Sequence, residues 1–292
     1  MMRIIDPKET PTKDLHQYLL GSVAPRPIAF ASTISDDGVH NVAPYSFFNA
    51  FSSNPPILVF SSNRRVADNT TKDTLANIRT NGEVVINVVS YNIVRQMAVA
   101  SIGYPEDVSE YTKAGLTPIA SDLVRPYRVK ESPVQMECKV RDIITLGDQG
   151  GAGHLILCDV VRMHIDEAVL DGDRINPHKI DLMGRMGRAY YVRASGDAVH
   201  TIVQSVVELG VGFDGLPDVW KASDILTGND LGRLAGLTHL PKPEDAATLK
   251  DDKDVKAALD ASDRHKAVHQ LARDLIAHDE VQKAAKVLWL AK

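Results

Sequence analysis

The chain has 292 residues, of which 44% are hydrophobic and 24% are charged, a composition that suits a globular protein with one large core or two smaller ones. The formal net charge of −5 leaves no basic surplus, which argues against nucleic acid as the main partner. No apolar run is long enough to span a bilayer, and the opening MMRIIDPKETPTKD lacks the order of a signal peptide. We therefore expect a cytoplasmic protein that binds neither nucleic acid nor membrane.

The first predicted elements are a short helix and a β-hairpin. The helix spans Thr12 to Leu20, and the β-prone runs Pro27 to Ile34 and Val39 to Ala43 flank the tight turn SDDG. Pro44 then favours an edge strand or a bulge, because proline lacks a backbone donor. Arg26 lies between two prolines in stiff, extended backbone, where it is a candidate anion ligand or one half of a surface ion pair.

A stretch of mixed aromatic and small polar residues follows. It reads SFFNAF from Ser46, turns at Asn54-Pro55-Pro56, and continues as a short apolar strand that ends in Ser61-Ser62. Hydroxyl and amide groups beside aromatic faces suit a flat ligand with polar edges. The same pattern suits an ordinary barrel wall, and polarity alone leaves both interpretations open.

The next predicted element is a helix whose start has the chemistry of an anion site. Thr70 or Thr71 is a plausible N-cap, Leu75, Ala76 and Ile78 are expected to point inward, and Gly82 ends the helix. Free N–H groups and the helix dipole favour an anion there. Nearby hydroxyls and positive charges come from Ser61, Ser62, Arg64, Arg65, Lys72 and Thr74. A phosphate monoester fits this set, and so does a capped helix with solvated basic residues.

The middle of the chain reads as strands separated by loops. We predict strands over Glu83 to Val89, Ser132 to Val140, Asp142 to Leu146 and His154 to His164, and a loop from Gly103 to Val124. GDQGGAG, residues 147–153, matches no nucleotide-binding glycine motif and is interpreted as a hairpin tip that leaves room for something flat. Cys138 and Cys158 lie in separate β-prone runs, which favours reduced, apolar strand residues over a redox pair or a disulfide.

The composition changes near Ala194, after which strand patterns vanish. Helical spacing links Val199, Ile202, Val203, Val206 and Val207, and later Val268, Leu271 and Leu275, then Val281, Ala284 and Leu288. His265 and His269 stand four residues apart in HKAVH, which lacks the glutamate of a zinc HExxH motif. We interpret them as a solvated helix face and predict no metal site.

Several motifs are similar to those of one known family. They are RPIAFASTIS…G..NVAPYSFFNAFSSNPPILVFS, KDT…NI at 72–78, VVINV at 84–88, GHLI at 153–156 and GRMG…Y at 184–190. Together they resemble the flavin reductase-like, FMN-binding split-barrel family, the relatives of flavoredoxin. The resemblance covers roughly Leu15 to Arg193. One departure is Cys158-Asp159, where the family usually has Gly-Glu.

The resemblance implies a fold and a division of the chain. It implies a mainly β fold with α, an antiparallel Greek-key split β-barrel over residues 1–194, followed by a helical C-terminal extension over residues 195–292. It also implies FMN as the cofactor, near the interface of a homodimer.

The resemblance also assigns residues to the cofactor. Those expected to line the flavin ring and ribityl chain are Ser46, Phe47, Phe48 and Asn49. Those expected to hold the phosphate are Ser61, Ser62, Arg65, Lys72 and Thr74. Arg185 and Tyr190 match the family's arginine and aromatic residue, and are expected at the cofactor or at the dimer partner. His154 matches a family histidine near the substrate or nicotinamide and is the candidate catalytic residue; a hydrogen-bonded histidine at a strand end is the alternative.

The sequence has no convincing nucleophile–base–acid triad, no GxSxG elbow and no catalytic zinc spacing, so a bound cofactor is expected to supply the chemistry. On the family resemblance, the first hypothesis is an oxidoreductase that takes hydride from NADH or NADPH and passes electrons to free flavin or another small acceptor. A second is direct reduction of a small aromatic substrate, such as a nitroaromatic. A third is a non-enzymatic electron carrier. Related barrels bind pyridoxal phosphate or haem, but the sequence motif SFFNAFSSNPP favours FMN.

Overall fold

The computed structural model describes residues 1–202 and 208–291. The chain divides into two compact units, Met1–His200 and Thr201–Lys292. We keep the functional division into a barrel domain, 1–194, and a helical extension, 195–292, as a proposal. None of the described helices is both long and apolar enough to cross a membrane.

The first unit is built on an antiparallel sheet of seven strands. Its thirteen described strands in chain order are β1 (Ala29–Ile34), β2 (His40–Tyr45), β3 (Phe48–Ser53), β4 (Pro56–Ser61), β5 (Glu83–Val88), β6 (Pro118–Ile119), β7 (Arg128–Val129), β8 (Val134–Thr145), β9 (His154–Ile165), β10 (Leu170–Asp171), β11 (Arg174–Ile175), β12 (Leu182–Gly187) and β13 (Tyr190–Ala194). The sheet order is β2-β1-β5-β8-β9-β4-β3, and the remaining strands pair as β6-β7, β10-β11 and β12-β13. This is the antiparallel, mixed β and α architecture that the sequence predicts.

The first five described helices of the chain belong to the first unit with the sheet, and the last five form the second unit. They are α1 (Thr12–Ser22), α2 (Asp73–Asn81), α3 (Val94–Val99), α4 (Glu110–Ala114), α5 (Pro177–Ile180), α6 (Asp218–Lys221), α7 (Gly228–Ala235), α8 (Lys253–Leu259), α9 (Arg264–Ala277) and α10 (Val281–Leu288). Helix α1 follows Pro11 rather than a Thr12 cap and buries none of its residues. The loop predicted over 103–124 contains the short helix α4.

The opening hairpin forms as its turn residues indicate. Gly38 has φ +83°, a left-handed conformation that glycine adopts without steric cost, and β1 pairs with β2 from Ala29 opposite Tyr45 to Ile34 opposite His40. Strand β2 is at the edge of the sheet, which agrees with the edge position predicted for Pro44.

The long β8–β9 hairpin differs from the sequence prediction. Two strands were expected between Ser132 and Leu146, but β8 is continuous and is interrupted only by register shifts at Glu137/Cys138 and Val140/Asp142. A bulge absorbs an extra residue without ending the pairing, and a sequence pattern does not distinguish it from a strand end. Cys138 and Cys158 are free and fully buried, as predicted, and burial raises the pKa of both thiols.

Helix α2 begins later than predicted. Its N-cap is Lys72, not Thr70 or Thr71, because the Thr70 hydroxyl is bonded to Asp68 (2.7 Å) and to the Arg65 guanidinium (2.8 Å) in the preceding loop. Gly82 ends the helix in the left-handed conformation, as predicted. The expected inward residues Leu75 and Ile78 are buried, whereas the third of them, Ala76, is exposed.

The second unit has its own helical core, centred on Trp220, Leu234, Ile276 and Leu288. The predicted helices around residues 268–288 correspond to α9 and α10. In the predicted helix after Val199, Val199 and Ile202 are not helical, and Val203, Val206 and Val207 lie outside the described residues. The interpretation of His265 and His269 as a solvated face is wrong for His269. It is 0% exposed, and its Nδ1 lies 2.6 Å from the Ser223 hydroxyl, because α9 turns this side toward the core.

Candidate functional site

The ends of three strands meet at Ser61 and Ser62. The Ser61 amide donates to the Phe47 carbonyl (2.8 Å), which joins the end of β4 to the residue before β3. The Ser62 amide donates to the carbonyl of His154 (3.1 Å), and the His154 amide donates back to Ser62 (3.3 Å). Residues 47, 61, 62 and 154, which are distant in sequence, are therefore neighbours.

His154 is held by this junction. Its side chain is buried, with 1% of the residue exposed, and Nδ1 lies 3.0 Å from the Ser62 carbonyl oxygen. A carbonyl only accepts hydrogen bonds, so Nδ1 carries a proton in this contact. This contact is the strand-end hydrogen bond that the sequence offered as one interpretation of His154, and it holds the ring by its Nδ1 edge.

The glycine-rich hairpin tip packs against the same junction. A Cβ on Gly153 would lie 2.6 Å from Ser61 Oγ, and a Cβ on Gly150 would lie 3.2 Å from the Arg65 carbonyl. The Ser61 hydroxyl donates to Asn63 Oδ1 (2.7 Å). The tip thus makes room for the chain's own loop after β4, where the sequence analysis expected room for a flat ligand.

Two buried hydroxyls near this junction lie close to each other and to Thr74 but make no hydrogen bond of good geometry among the described residues. They belong to Ser62, which is 1% exposed, and to Tyr45. Burial raises the pKa of Tyr45 to about 12, so the phenol is protonated across the physiological range. A buried hydroxyl without a partner costs free energy, which marks these two groups as candidates for contact with a bound molecule.

Positive charge is concentrated beside these hydroxyls. Lys72 Nζ lies 4.8 Å from the centre of the Tyr45 ring, and burial, followed by the nearby positive charge of Arg65, lowers the pKa of Lys72. Neither Lys72 nor Arg65 forms an ion pair with a carboxylate in the described part of the chain. Both line a cavity of about 90 Å³ at the start of α2. The carboxylates of Asp73 and Glu110 line the same cavity, so the two cations favour a small anion there and the two carboxylates oppose it.

Thr74 has a different place from the one expected of a phosphate ligand. Its side chain is fully buried, and its hydroxyl donates to Asn41 Oδ1 (2.9 Å). The Asn41 amide in turn donates to both carboxylate oxygens of Glu110 (2.9 and 3.0 Å), which also accept the Val42 amide (3.1 Å). The single hydroxyl proton of Thr74 is thus already used in the hydrogen bond to Asn41. Only the backbone N–H of Thr74 remains as a donor for a ligand at the helix start.

Sequence reasoning missed Tyr45, Asn41 and Glu110. Burial raises the pKa of Glu110 above its ordinary value. No local signal marks it, because Glu110 and Asn41 are 69 residues apart and meet only when α4 packs on β2. Tyr45 directly precedes the SFFN stretch that the sequence predicts to contact a ligand. This position is the one sequence signal that could have identified Tyr45.

The residues expected at a flavin ring lie on and before β3. Ser46, Phe47 and Phe48 are half-buried, and Phe48 also packs against the barrel core. Asn49 is exposed, and its Oδ1 accepts the amide of Ala50 (2.8 Å). These four residues form a partly open surface that continues from the Ser61 junction.

Arg185 and Tyr190 lie on the β12–β13 hairpin. The Arg185 guanidinium stacks 4.6 Å from the centre of the Tyr191 ring and lies 3.5 Å from the Tyr190 carbonyl. Tyr190 is 66% exposed. Arg185 pairs through its backbone with Arg26, which also donates from Nε to Ser46 Oγ (3.4 Å). Arg185 is therefore joined to the β3 surface, whereas the Tyr190 side chain lies in the open.

One cluster of potential metal ligands appears in the described residues, at Asp122, Glu137 and His164. His164 Nε2 lies 2.7 Å from Glu137 Oε1, and Arg162 pairs with Asp122 at 2.6 Å. Glu137 also accepts the amides of Asp122 and Leu123 (2.9 and 2.6 Å). Because these donors already occupy the carboxylates, we interpret the cluster as an ion-pair network that ties the 120s loop to the β8–β9 hairpin.

Comparison with known proteins identifies the family. The sequence profile described as "Flavin reductase like domain" matches residues 20–180. An uncharacterized protein of Aquifex aeolicus is 39% identical over 191 residues, which are 65% of this chain and 95% of that protein. The chain therefore belongs to the flavin reductase-like domain family.

Solved structures agree with this assignment. Nitrilotriacetate monooxygenase component B from Bacillus cereus superposes with a TM-score of 0.64 at 33% identity, covering 68% of this chain and 98% of that one. The 2-nitrobenzoate 2-nitroreductase NbaA of Pseudomonas fluorescens has a TM-score of 0.60 at 27% identity, covering 70% and 98%. Flavoredoxin of Desulfovibrio vulgaris, at 20% identity with a TM-score of 0.52 and coverage of 63% and 92%, shares the split-barrel fold. About a third of this chain thus has no counterpart in these relatives.

Proposed function

We propose that this protein is an FMN-dependent oxidoreductase that takes hydride from NADH or NADPH and passes electrons to free flavin or another small acceptor. The observation that carries the proposal is the group of unpaired donors at the start of α2. Within the described residues, the buried hydroxyls of Ser62 and Tyr45 make no hydrogen bond of good geometry beyond their contacts with each other and with Thr74. The neighbouring cations Lys72 and Arg65 form no ion pair there, although the carboxylates of Asp73 and Glu110 lie near Lys72. A phosphate monoester dianion supplies the acceptors that these groups lack.

The donor set fits the phosphate of FMN. Lys72 and Arg65 would supply charge, the Ser62 hydroxyl would donate, and the backbone N–H groups of Asp73 and Thr74 would serve at the helix start. Ser61 is near enough to take part, although its hydroxyl proton is directed to Asn63. The Thr74 side chain would act indirectly, through Asn41 and Glu110.

The flavin ring would lie against the β3 surface. Ser46, Phe47, Phe48 and Asn49 offer half-buried aromatic faces and polar edges next to the Ser61 junction. When bound, the flavin supplies the capacity to accept hydride from reduced nicotinamide and to release electrons to an acceptor. The chain's own part is to orient the ring, to limit access, and to hold the His154 ring in place through its Nδ1 contact with the Ser62 carbonyl.

The proposal has two forms, which differ in the electron acceptor: free flavin or another small acceptor in the first, and a small aromatic substrate in the second. The nitroreductase neighbour, at 27% identity, favours direct reduction of a small aromatic substrate as the second candidate. The flavoredoxin structure is only 20% identical to this chain and supports a shared fold alone. No specific observation therefore favours the electron carrier.

A turnover assay decides among these candidates. Purified protein loaded with FMN is given NADH or NADPH, first with excess free flavin and then with a nitroaromatic acceptor. We expect nicotinamide oxidation that depends on free flavin. Dependence on the aromatic acceptor alone would select the second candidate. Bound FMN without nicotinamide oxidation in either assay would contradict both enzymatic forms.

We also propose that the protein is a homodimer. Val161, Met163 and Ile165 are 38%, 50% and 37% exposed, and alternate residues of a strand share one face. Three neighbouring exposed apolar side chains on one strand are suited to contact with a second copy.

A further inference from the structure

Arg26 is a buried cation whose hydrogen bonds are incomplete. It is 4% exposed, its NH1 donates to the carbonyls of Leu20 (2.7 Å) and Val23, and its Nε donates to Ser46. Its NH2 has no partner in the described residues. The surface ion pair considered for Arg26 in the sequence analysis is therefore wrong, because the residue is buried and no described carboxylate pairs with it.

A second arginine lies directly opposite. The Arg26 amide donates to the Arg185 carbonyl (3.0 Å), and the Arg185 amide donates to Arg26 (2.8 Å), which is the closed pair of an antiparallel bridge. Residues in such a pair project from the same side of the ladder with Cβ atoms about 5 Å apart, and like charges there are destabilising. Gly184 makes the approach feasible, because a Cβ on it would lie 3.0 Å from Pro25.

No carboxylate among the described residues neutralises these two charges. Arg185 forms no ion pair with any carboxylate in residues 1–202 and 208–291, and burial together with the charge of Arg185 lowers the pKa of Arg26. The carbonyls at the end of α1 offer about half a negative charge at most. More than one positive charge therefore remains uncompensated beside Ser46 and Phe47.

Ser46 adds a directed donor. Its oxygen accepts from Arg26 Nε at 3.4 Å, so its own hydroxyl proton is available to a further acceptor. The Arg26 guanidinium also lies 5.8 Å from the centre of the Phe47 ring. Ser46 and the half-buried Arg185 each adjoin Arg26, Ser46 through a side-chain hydrogen bond and Arg185 through the paired backbone.

We propose that Arg185, Ser46 and Arg26 form an oxyanion-binding subsite, separate from the phosphate site at the start of α2. Arg185 and Ser46 contact the oxyanion, and Arg26 supplies positive charge from the interior. The proposal rests on the proposed function, because that function places the flavin ring beside Ser46 and Phe47. The occupant is an oxyanion of a reactant, either the carboxylate of an acceptor or a phosphate of the nicotinamide nucleotide.

The test compares two ligands of the same size that differ in charge. Benzoate and benzamide are titrated at fixed ionic strength by ligand-detected NMR, with and without FMN. We expect wild-type protein to bind benzoate about tenfold more tightly than benzamide, as a charge-assisted hydrogen bond implies. Arg185→Met should abolish this preference, and Arg185→Lys should keep part of it. Arg188→Met removes an exposed cation from the same hairpin and should change nothing.

Kinetics distinguish the two sources of the oxyanion. If the occupant is a nicotinamide phosphate, Arg185→Met raises the KM for the nucleotide that carries it. If the occupant is an acceptor carboxylate, the nucleotide KM is unchanged while the benzoate preference is lost. Equal binding of benzoate and benzamide by the wild type, or a preference that survives Arg185→Met, overturns the subsite. Failure to bind FMN would contradict the proposed function instead, and the titration without FMN would still decide the subsite.

Discussion

Lys72 is the single residue on which phosphate binding depends most in this account. It is the N-cap of α2, lies beside the buried Tyr45 ring and has no carboxylate partner in the described chain. Burial lowers the pKa of Lys72, and a phosphate beside the ammonium group would stabilise its charged form and oppose that shift.

We expect Lys72→Met to weaken FMN binding by about 10- to 100-fold, the range for loss of a hydrogen bond to a charged group. Riboflavin, which lacks the phosphate, should bind both proteins equally. Quenching of flavin fluorescence measures both affinities. Lys130→Met, which removes an exposed lysine with no described partner, is the control. Equal losses for FMN and riboflavin would argue against a phosphate contact.

The residues that sequence reasoning identified at this site share a property. Ser61, Ser62 and Lys72 lie within one short segment, so local motif likeness was enough to propose them. Glu110 and Asn41 join the network only through the contact between α4 and β2, which no local pattern reveals. The direction of the Thr74 hydrogen bond likewise depends on that distant carboxylate.

At the scale of elements, most strands and helices could be predicted because hydrophobic period and turn residues agree. The β1–β2 hairpin and α2 are examples, with Gly38 and Gly82 both in the left-handed conformation. The sequence predictions were wrong where contacts between elements determine the local structure. The β8 bulges, the start of α2 and the burial of His269 each depend on a neighbouring element.

Helix α9 carries a pH-sensitive group. His269 is buried against Ser223 and stacks on the His265 ring, with ring centres 4.2 Å apart. Burial, with a smaller effect from His265, lowers the pKa of His269 from 6.5 to about 4. The unfolded chain takes up this proton near pH 6.5 and the folded chain only near pH 4, so acid favours unfolding between these values.

We therefore expect the second unit to lose stability as the pH falls from about 6.5 to about 4, and His269→Gln to flatten this dependence. Both tryptophans of the chain, Trp220 and Trp289, lie in this unit, so tryptophan fluorescence during urea unfolding reports on it selectively. His278→Gln, an exposed change at the end of the same helix, should keep the wild-type slope. A wild-type stability that is constant across this range would refute the assignment.

At the scale of the whole molecule, the family relatives match about two thirds of this chain while their own lengths are almost fully covered. The described core clusters also fall within one unit or the other. We therefore expect the flavin to bind and react in the first unit. The family resemblance does not extend to the helical extension and implies no role for it.

The proposed dimer is tested by placing a charge on β9. Wild-type protein should have a mass of twice 31.9 kDa in light scattering after gel filtration. Met163→Arg should yield monomers, because a charge at a buried apolar contact is not solvated. Val219→Arg changes an exposed apolar residue of the second unit and should leave the dimer intact. A wild-type monomer would contradict the proposal.

The central claim is that the unpaired donors around Lys72 and the β3 surface receive FMN and that reduced nicotinamide then reduces it. An absorbance spectrum tests this most directly. It is recorded for the purified protein, again after addition of FMN and removal of unbound flavin, and finally after anaerobic addition of NADH or NADPH. We expect the peaks of oxidised flavin to remain with the protein and to bleach with at least one nucleotide. A folded protein that retains no flavin after this treatment would contradict the account.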